Sequence, residues 1–315
     1  MLWSYPIKES QGGFIDTATG AFTPDPSSVL VYDFAKNLYR TPDQPYLYGN
    51  WGGANMAPSS YDVTAHRWVP VPPQWVSPDG KSYAYGVASN APGAGIHVVD
   101  VATGVDRVIA STTSLADGSY FVAGYLSDGI YLNEFGPTGG AGLGLWRLDP
   151  SSGAIDQVST SAPALGVLIG ETPIESPPSK GNPDAWWTNY NRAFDDTSDP
   201  YVYFQYLNTS AGQNAESWFS QPGFHVNVIG ADAEGHAIVE ALSTTQAEVW
   251  LLATPNSASP LQTIPRSGAA RAIFRTAVAD RGGWWIGSES GLIFATASTW
   301  GQVSTTPVVV AGACV

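Results

Sequence analysis

The feature that most constrains this chain is a strand-turn-strand pattern that recurs along its 315 residues. Residues 75–85 alternate apolar and polar side chains around a Pro-Asp-Gly turn. Residues 96–100 and 106–109 follow with an Ala-Thr-Gly turn between them. Alternation with a period of two, broken by Gly and Pro turns, is typical of β-strands joined by hairpins. This segment therefore predicts a meander of four antiparallel strands.

The same order of segments recurs at intervals of about 40 to 45 residues, a period typical of repeat architectures. Further copies span residues 120–158, 226–264 and 276–303, and the less regular segments 61–71 and 186–219 bring the number of units to six. A four-stranded unit cannot bury both faces alone, and radial stacking of such units gives a β-propeller. We predict an all-β, six-bladed propeller of four-stranded antiparallel sheets in a single domain over residues 1–315, with five to seven blades possible.

The two ends of the chain provide a way to close such a ring. Residues 308–312 add an apolar strand after the sixth unit, and residues 13–22 offer two strands around a Thr-Gly turn. Three consecutive valines left in water would expose an aggregation-prone strand edge. We therefore predict that the C-terminal strand pairs with the N-terminal strands.

Charge and composition exclude several classes of partner. The chain has 27 acidic residues against 13 Lys and Arg, a net charge of −14, which repels phosphate backbones and argues against nucleic acid. The sequence contains no run of about 18 apolar residues, so no membrane-spanning helix is predicted. Cys314 is the single cysteine, so no internal disulfide is expected. Scarce Lys and Cys favour an extracellular or cell-surface bacterial protein whose leader has been removed, and we expect a monomer.

Two repeats resemble known propeller families. The run Ser-Pro-Asp-Gly-Lys at 77–81, with residues 99–104, resembles the repeat of TolB-type propellers. Residues 280–287 are similar to the repeat of sensor-type periplasmic propellers. The whole chain also resembles exported bacterial propeller proteins. The resemblance implies a propeller, but these motifs specify turns and packing and imply no activity.

The sequence contains no recognisable catalytic motif. Ser288 lies between Gly287 and Gly291 without the Gly-x-Ser-x-Gly pattern of a nucleophile elbow, and a hairpin is expected there. The four histidines lack metal-ligand spacing. We expect a structural role for His97 and turn positions for His66 and His236, whereas His225 could begin an innermost strand that faces the channel.

Acidic residues suggest a metal site in the irregular fourth unit. Asp184, Asp195 and Asp199 offer the oxygen ligands that calcium prefers, although their spacing matches no EF-hand loop. A solvated acidic insertion and a carboxylate pair for acid-base or sugar-binding work are the alternatives. Glu171 and Glu175 precede this insertion and could join it at the mouth of the channel.

Aromatic residues suggest a binding surface in the same unit and in a second loop. Exposed Trp and Tyr beside Asn and Asp can hold sugar rings by stacking and hydrogen bonding, although packing between blades would use the same rings. Loops on one rim of a propeller are the expected place for a site. The candidate ligand-binding residues are Tyr48, Asn50, Trp51, Trp186, Trp187, Tyr190, Asp195, Asp196 and His225.

Two functions are consistent with these observations. The first is a non-catalytic binding or interaction propeller that recognises a glycan, a peptide or a partner protein on an aromatic-rich rim. The alternative is a propeller hydrolase or lyase, lactonase-like or glycan-cleaving, with axial carboxylates and calcium. Convergence of the acidic candidates with His225 near the axis would favour the enzyme.

Overall fold

The computed structural model describes residues 2–4, 12–28, 31–33, 38–40, 48–49, 60–71, 75–87, 93–111, 119–135, 142–159, 174–175, 185–190, 201–206, 215–231, 236–255, 259–265, 274–280 and 282–312. The backbone alone is described for single residues in several strands and for 2–4, 31–33, 38–40, 48–49, 142–143, 174–175, 185–190, 201–206, 215–217 and 274–276. In these ranges the chain is all β apart from one 3₁₀ turn, Pro26–Ser28, which confirms the predicted class. No helix within them is long and apolar enough to cross a membrane.

Contacts between residues divide the chain into two compact units. The first comprises Met1–Asp16, Ala21–Thr160 and Cys314–Val315, and the second comprises Thr17–Gly20 and Ser161–Ala313. The prediction of a single domain over residues 1–315 stays a prediction. The strands of the first unit are β1 (Leu2–Ser4), β2 (Gly12–Ile15), β3 (Phe22–Pro24), β4 (Val31–Asp33), β5 (Leu38–Arg40), β6 (Tyr48–Gly49), β7 (Ser60–Asp62), β8 (Arg67–Val69), β9 (Ser82–Val87), β10 (Gly95–Asp100), β11 (Asp106–Ser111), β12 (Ser119–Leu126), β13 (Gly129–Phe135), β14 (Gly142–Leu148) and β15 (Ile155–Ser159).

The meanders predicted from the repeat are present in this unit. Strands β12 to β15 form a four-stranded antiparallel sheet in sequence order, and β9 to β11 form a three-stranded one. An antiparallel bridge between Val76 and Tyr83 sets the predicted first strand beside β9. Strands β7 and β8 form the predicted hairpin, whereas the sheet of β4, β5 and β6 was not predicted.

A five-residue turn that starts at an aspartate recurs between neighbouring strands of these sheets. The Asp100 side chain accepts hydrogen bonds from the Thr103 amide at 2.7 Å and the Thr103 hydroxyl at 2.8 Å. The fifth residue has a positive φ, which favours Gly. His66 occupies that position in one copy with φ 51°, so its predicted place in a turn is confirmed. The four copies are Asp16 to Gly20, Asp62 to His66, Asp100 to Gly104 and Asp149 to Gly153.

The core of the first unit lies between the β9–β11 and β12–β15 sheets. It contains side chains that are at most 3% exposed, among them Tyr83, Val98, Val122 and Ile130. Ile130 and Leu132 of β13 are alternate positions, as the period-two pattern predicts, whereas consecutive residues of β9 and β10 are buried, so both faces of those strands are covered.

The second unit contains thirteen strands in its described residues. They are β16 (Ile174–Glu175), β17 (Ala185–Tyr190), β18 (Tyr201–Tyr206), β19 (Ala215–Ser220), β20 (His225–Ala231), β21 (Ala237–Leu242), β22 (Gln246–Leu252), β23 (Gln262–Pro265), β24 (Phe274–Asp280), β25 (Gly283–Ser288), β26 (Gly291–Ala295), β27 (Trp300–Ser304) and β28 (Val308–Val310). The irregular fourth unit of the sequence folds as a four-stranded sheet of β16 to β19.

Two meanders of the second unit join through their first strands. Strands β20 and β24 pair in parallel, with Gly230 opposite Ala277, so that β20 to β27 form one eight-stranded sheet. A Cβ atom placed on Gly230 would overlap the Ala277 carbonyl oxygen, because the two backbones approach so closely. Both β20 and β24 carry a register shift near this junction. The first strand of another meander, β12, also carries a register shift.

These sheets confirm the predicted class: successive four-stranded antiparallel meanders are the repeating element of a β-propeller. The number of blades stays a prediction. The proposed pairing of the C-terminal strand with the N-terminal sheet joins residues of the two units, and it too stays a prediction.

Candidate functional site

The aromatic strands of the β16–β19 sheet contain three of the predicted ligand-binding residues. Trp186 is opposite Gln205, Trp187 is opposite Phe204, and Tyr190 is opposite Tyr201 in the β17–β18 register. Glu175, in β16, is opposite Trp186. The backbone therefore brings aromatic residues that are distant in sequence into adjacent rows of one sheet.

The two faces of this sheet differ in chemistry. Because successive strand residues alternate between faces, positions 186, 188 and 190 share a face with 205, 203 and 201. These positions are Trp, Thr, Tyr, Gln, Tyr and Tyr. The opposite face contains Val202 and its β19 partner Phe219, which is 4% exposed and whose ring centroid is 5.0 Å from that of Trp250. In the register of the sheet, Val202 and Phe219 therefore belong to the set of alternate positions that does not include 186, 188 and 190.

The remaining predicted site residues are only partly accounted for. Tyr48 lies in β6, opposite Tyr39. His225 begins β20 and is half-buried, and the expectation that this strand faces a channel stays a prediction. Seven candidates fall outside the described residues: Asn50, Trp51, Glu171, Asp184, Asp195, Asp196 and Asp199. Within the described ranges no group of three or more His, Cys, Asp or Glu side chains is placed to hold a metal ion.

A polar row lies on the first two strands of the next meander. His225 is opposite Leu242 and Asn227 is opposite Glu240, which places these side chains on one face of the β20–β21 pair. Glu240 is completely buried, and the Asn227 amide nitrogen lies 3.4 Å from its carboxylate. A buried carboxylate that contacts a half-buried amide, with an imidazole two positions along the same face, is a set of groups that acid-base chemistry can use.

His97 has the structural role predicted for it. Its Nδ1 lies 2.9 Å from an Asp106 carboxylate oxygen, its Nε2 lies 2.6 Å from the Gly93 carbonyl oxygen, and its ring stacks on Tyr85 at 4.6 Å. Both ring nitrogens face acceptors, so both donate in the protonated ring. Burial on its own lowers the pKa of His97, but the bonds to Asp106 and Gly93 outweigh it and raise that pKa above its ordinary value.

A further set of carboxylates accepts hydrogen bonds from tryptophan. Glu248 is 6% exposed and accepts hydrogen bonds from Gln221 at 2.7 Å, Gln246 at 2.6 Å and Trp250 at 3.0 Å. Four indole N–H groups donate to carboxylates at 2.8 to 3.0 Å: Trp68 to Asp25, Trp146 to Glu134, Trp250 to Glu248, and Trp285 to Asp280. These pairs join residues whose contact the sequence does not reveal. A Glu inside an otherwise apolar strand, as in residues 237–242 and 246–252, is the signal that could have found two of the buried carboxylates.

Ser288 is used by the hairpin in which it was expected. It is 1% exposed, and its hydroxyl donates to the Gly291 carbonyl oxygen at 2.8 Å across the β25–β26 turn. This bond ties the two ends of the turn together and directs the hydroxyl into the backbone.

The sequence matches no protein-family profile and no curated protein. Solved structures share similarity at low identity. A prolyl endopeptidase matches 77% of this chain with 12% identity and a TM-score of 0.46, and the chain spans only 37% of that protein. A calcium-binding regucalcin from Agrobacterium tumefaciens matches 91% of this chain and 85% of its own, with 13% identity and a TM-score of 0.42. TolB from Acinetobacter baumannii matches 76% of this chain over 73% of its own length, with 11% identity and a TM-score of 0.29. Similarities of this size do not establish what the chain binds or catalyses.

Proposed function

We propose that this chain is a non-catalytic binding or interaction propeller that recognises a glycan, a peptide or a partner protein through its aromatic strands. The observation that carries the proposal is the register of β17 and β18, which aligns Trp186, Thr188 and Tyr190 with Gln205, Tyr203 and Tyr201. Trp and Tyr provide a flat apolar surface with a polar tip, which suits recognition of sugars and of peptide side chains. Asp195 and Asp196, in the connection between these strands, would add acceptors.

Several described groups that could perform chemistry are already hydrogen-bonded within sheets and turns. Their bonding supports binding over catalysis. The His97 imidazole is held by Asp106 and Gly93, and the Ser288 hydroxyl is held by its own turn. The Glu248 carboxylate is likewise occupied by neutral donors. These bonds stabilise sheets and turns.

Thermal unfolding against a panel of cello-, chito- and xylo-oligosaccharides and short peptides tests the proposal. A ligand that binds only the folded state raises the unfolding midpoint in proportion to RT ln(1 + [L]/Kd). Trp186→Ala and Trp187→Ala form a matched pair, because the two positions lie on opposite faces of one strand. We expect Trp186→Ala to abolish the ligand-dependent shift, whereas Trp187→Ala lowers the midpoint without ligand and retains the shift. Equal loss in both variants, or no shift with any compound, would contradict binding on this face.

One observation favours a second function, a hydrolase or lyase with axial carboxylates and calcium. Glu240, Asn227 and His225 share a face of the β20–β21 pair, and Glu240 is completely buried. In that proposal Glu240 or His225 handles the proton, while Asp184, Asp195 and Asp199 hold the metal. Lactone and glycoside hydrolysis would be assayed with calcium and with chelator. Activity that Glu240→Gln abolishes while the fold is retained would replace the binding proposal.

We also propose that the protein acts as a monomer outside the cytoplasm of a bacterium. The acidic composition and the scarcity of Lys and Cys support an extracellular or cell-surface location. Fractionation of cells that express the natural gene tests the location. Light scattering tests the monomer, whose expected mass is 33.2 kDa.

A further inference from the structure

We propose that Tyr120, Glu134 and Trp146, at one end of the β12–β15 sheet, form a binding site for the ammonium or guanidinium group of a basic peptide. Tyr120 is opposite Glu134, and Trp146 is opposite Leu132 in the adjacent row. The three residues therefore lie on one face of three neighbouring strands. They are separate from the aromatic strands of the second unit, and the proposal does not depend on those strands.

Both aromatic residues hold the carboxylate in place. The Trp146 indole N–H donates to Glu134 Oε2 at 2.8 Å, and the Tyr120 hydroxyl also hydrogen-bonds to this carboxylate. The two ring planes make an angle of 79°, with their centroids 6.3 Å apart. One ring therefore presents its edge to the face of the other, and an aromatic face beside a carboxylate is a place where an organic cation can bind.

The charge of this group is left for a ligand to neutralise. Both donors to Glu134 are neutral, so their bonds orient the carboxylate without cancelling its charge. Burial, followed by the charge of Glu134, raises the pKa of Tyr120 to about 12, which keeps the phenol protonated. An uncharged sugar would leave the negative charge uncompensated, whereas a lysine or arginine side chain would pair with it.

The carboxylate belongs to a residue that is only partly buried. Glu134, Tyr120 and Trp146 are half-buried. Tyr120 and Glu134 lie two positions beyond the buried pair of Val122 and Leu132. The residue opposite Glu134 on β14 is Gly144, which has no side chain, and β14 reaches the carboxylate through the Trp146 indole. The indole–carboxylate pair of Trp250 and Glu248 differs, because both residues are at most 9% exposed and two glutamines complete the bonding of Glu248.

Calorimetric titration with a tetralysine peptide, and with the same peptide acetylated on every lysine, tests the site. We expect the basic peptide to bind and the acetylated peptide not to bind. Glu134→Gln should weaken binding about fivefold or more, the loss expected for one partly desolvated cation contact. Asp156→Asn is the matched control, because it removes the same charge from an exposed position on β15 of the same sheet.

A second measurement identifies the residue that is contacted. The indole N–H resonance that disappears in Trp146→Phe should shift when tetralysine is added, and it should not shift with the acetylated peptide. If Glu134→Gln fails to fold, Tyr120→Phe removes a single hydroxyl and should still weaken binding. Equal weakening by Asp156→Asn and Glu134→Gln, or equal affinity for both peptides, would overturn the site and leave general attraction to an acidic surface as the explanation.

Discussion

At the scale of single residues, the described carboxylates are stabilised largely by neutral donors. The chain has 27 acidic residues and only 13 Lys and Arg, so with one carboxylate for each cation fewer than half of the carboxylates would have a cationic partner. Trp, Tyr, Gln, Ser and Thr supply the hydrogen bonds instead. For Asp25, burial raises the pKa, but bonds from Trp68 and Ser27 outweigh it and lower that pKa. Each such carboxylate depends on a few donors with fixed geometry.

Glu248→Gln should therefore destabilise the protein. Gln221, Gln246 and Trp250 all donate hydrogen bonds to Glu248. The N–H groups of the new amide would face at least one of these donors, so buried polar groups would be left unpaired. The expected loss in the free energy of unfolding is about 1–3 kcal/mol, the cost of an unsatisfied buried polar group. Urea unfolding measures it. Trp250→Phe removes one donor and keeps the carboxylate, so a larger loss in Trp250→Phe than in Glu248→Gln would assign the effect to ring packing.

The pair of His97 and Asp106 should make stability depend on pH. The folded-state pKa of His97 is raised, so its contribution is fully present below the ordinary value of about 6.5. It is lost as the pH rises through the raised folded value. The titratable groups packed around it are Asp106 of β11 and Tyr83 and Tyr85 of β9. We expect the thermal midpoint to fall across that window.

His97→Phe keeps a ring to stack on Tyr85 and removes the titration, so its midpoint should change less over the same pH range. His66→Asn is the control, since Asn tolerates the positive φ of that turn and the pH dependence should be retained. A wild-type profile in His97→Phe would show that another group is responsible.

At the scale of strands and sheets, local pattern predicted much of the fold. The alternating segments 120–158, 226–264 and 276–303 correspond to β12–β15, β20–β23 and β24–β27. The short strands β4 to β6 and β16 were missed because two or three residues carry no measurable period. The parallel pairing of β20 with β24 was also missed, since nothing in either strand specifies a partner in the neighbouring meander.

This junction predicts the effect of adding one methyl group. Gly230→Ala would press a Cβ against the Ala277 carbonyl and separate the parallel strands, with an expected loss of about 1–3 kcal/mol in stability. Gly301→Ala in β27 is the matched control, because no atom lies within 4 Å of its added Cβ. Denaturant unfolding of both variants provides the comparison. Similar losses in the two would contradict a close approach at Gly230.

At the scale of the whole molecule, the net charge of −14 dominates the electrostatics. Exposed ion pairs such as Lys81 with Asp79 at 3.3 Å offset little of it. Repulsion among like charges opposes folding and is screened by salt. Raising sodium chloride from about 0.05 to 0.5 M should increase the thermal midpoint at neutral pH. Near the isoelectric pH of 4.4 the increase should disappear, and an equal increase there would point to a salt effect unrelated to net charge.

The candidate sites were predictable only where the residues are close in sequence. Trp186, Trp187 and Tyr190 stand out in a short stretch, and the structure places them in one strand. The indole–carboxylate pairs join distant positions, such as Trp68 and Asp25, which are 43 residues apart. Tyr120, Glu134 and Trp146 likewise meet only through strand pairing. Register, which sequence alone leaves open, decides which polar groups form a site.

The sequence-order pairing within each meander has a consequence for biosynthesis. In the β12–β15 sheet every strand pairs with its neighbour in the chain, so all its partners are available once Ser159 has left the ribosome. Unpaired strands exposed during synthesis are a route to aggregation. A nascent chain that completes each meander before the next is translated exposes few open edges at any time. The parallel junction at Gly230 is an exception, because β20 must wait for β24 to emerge.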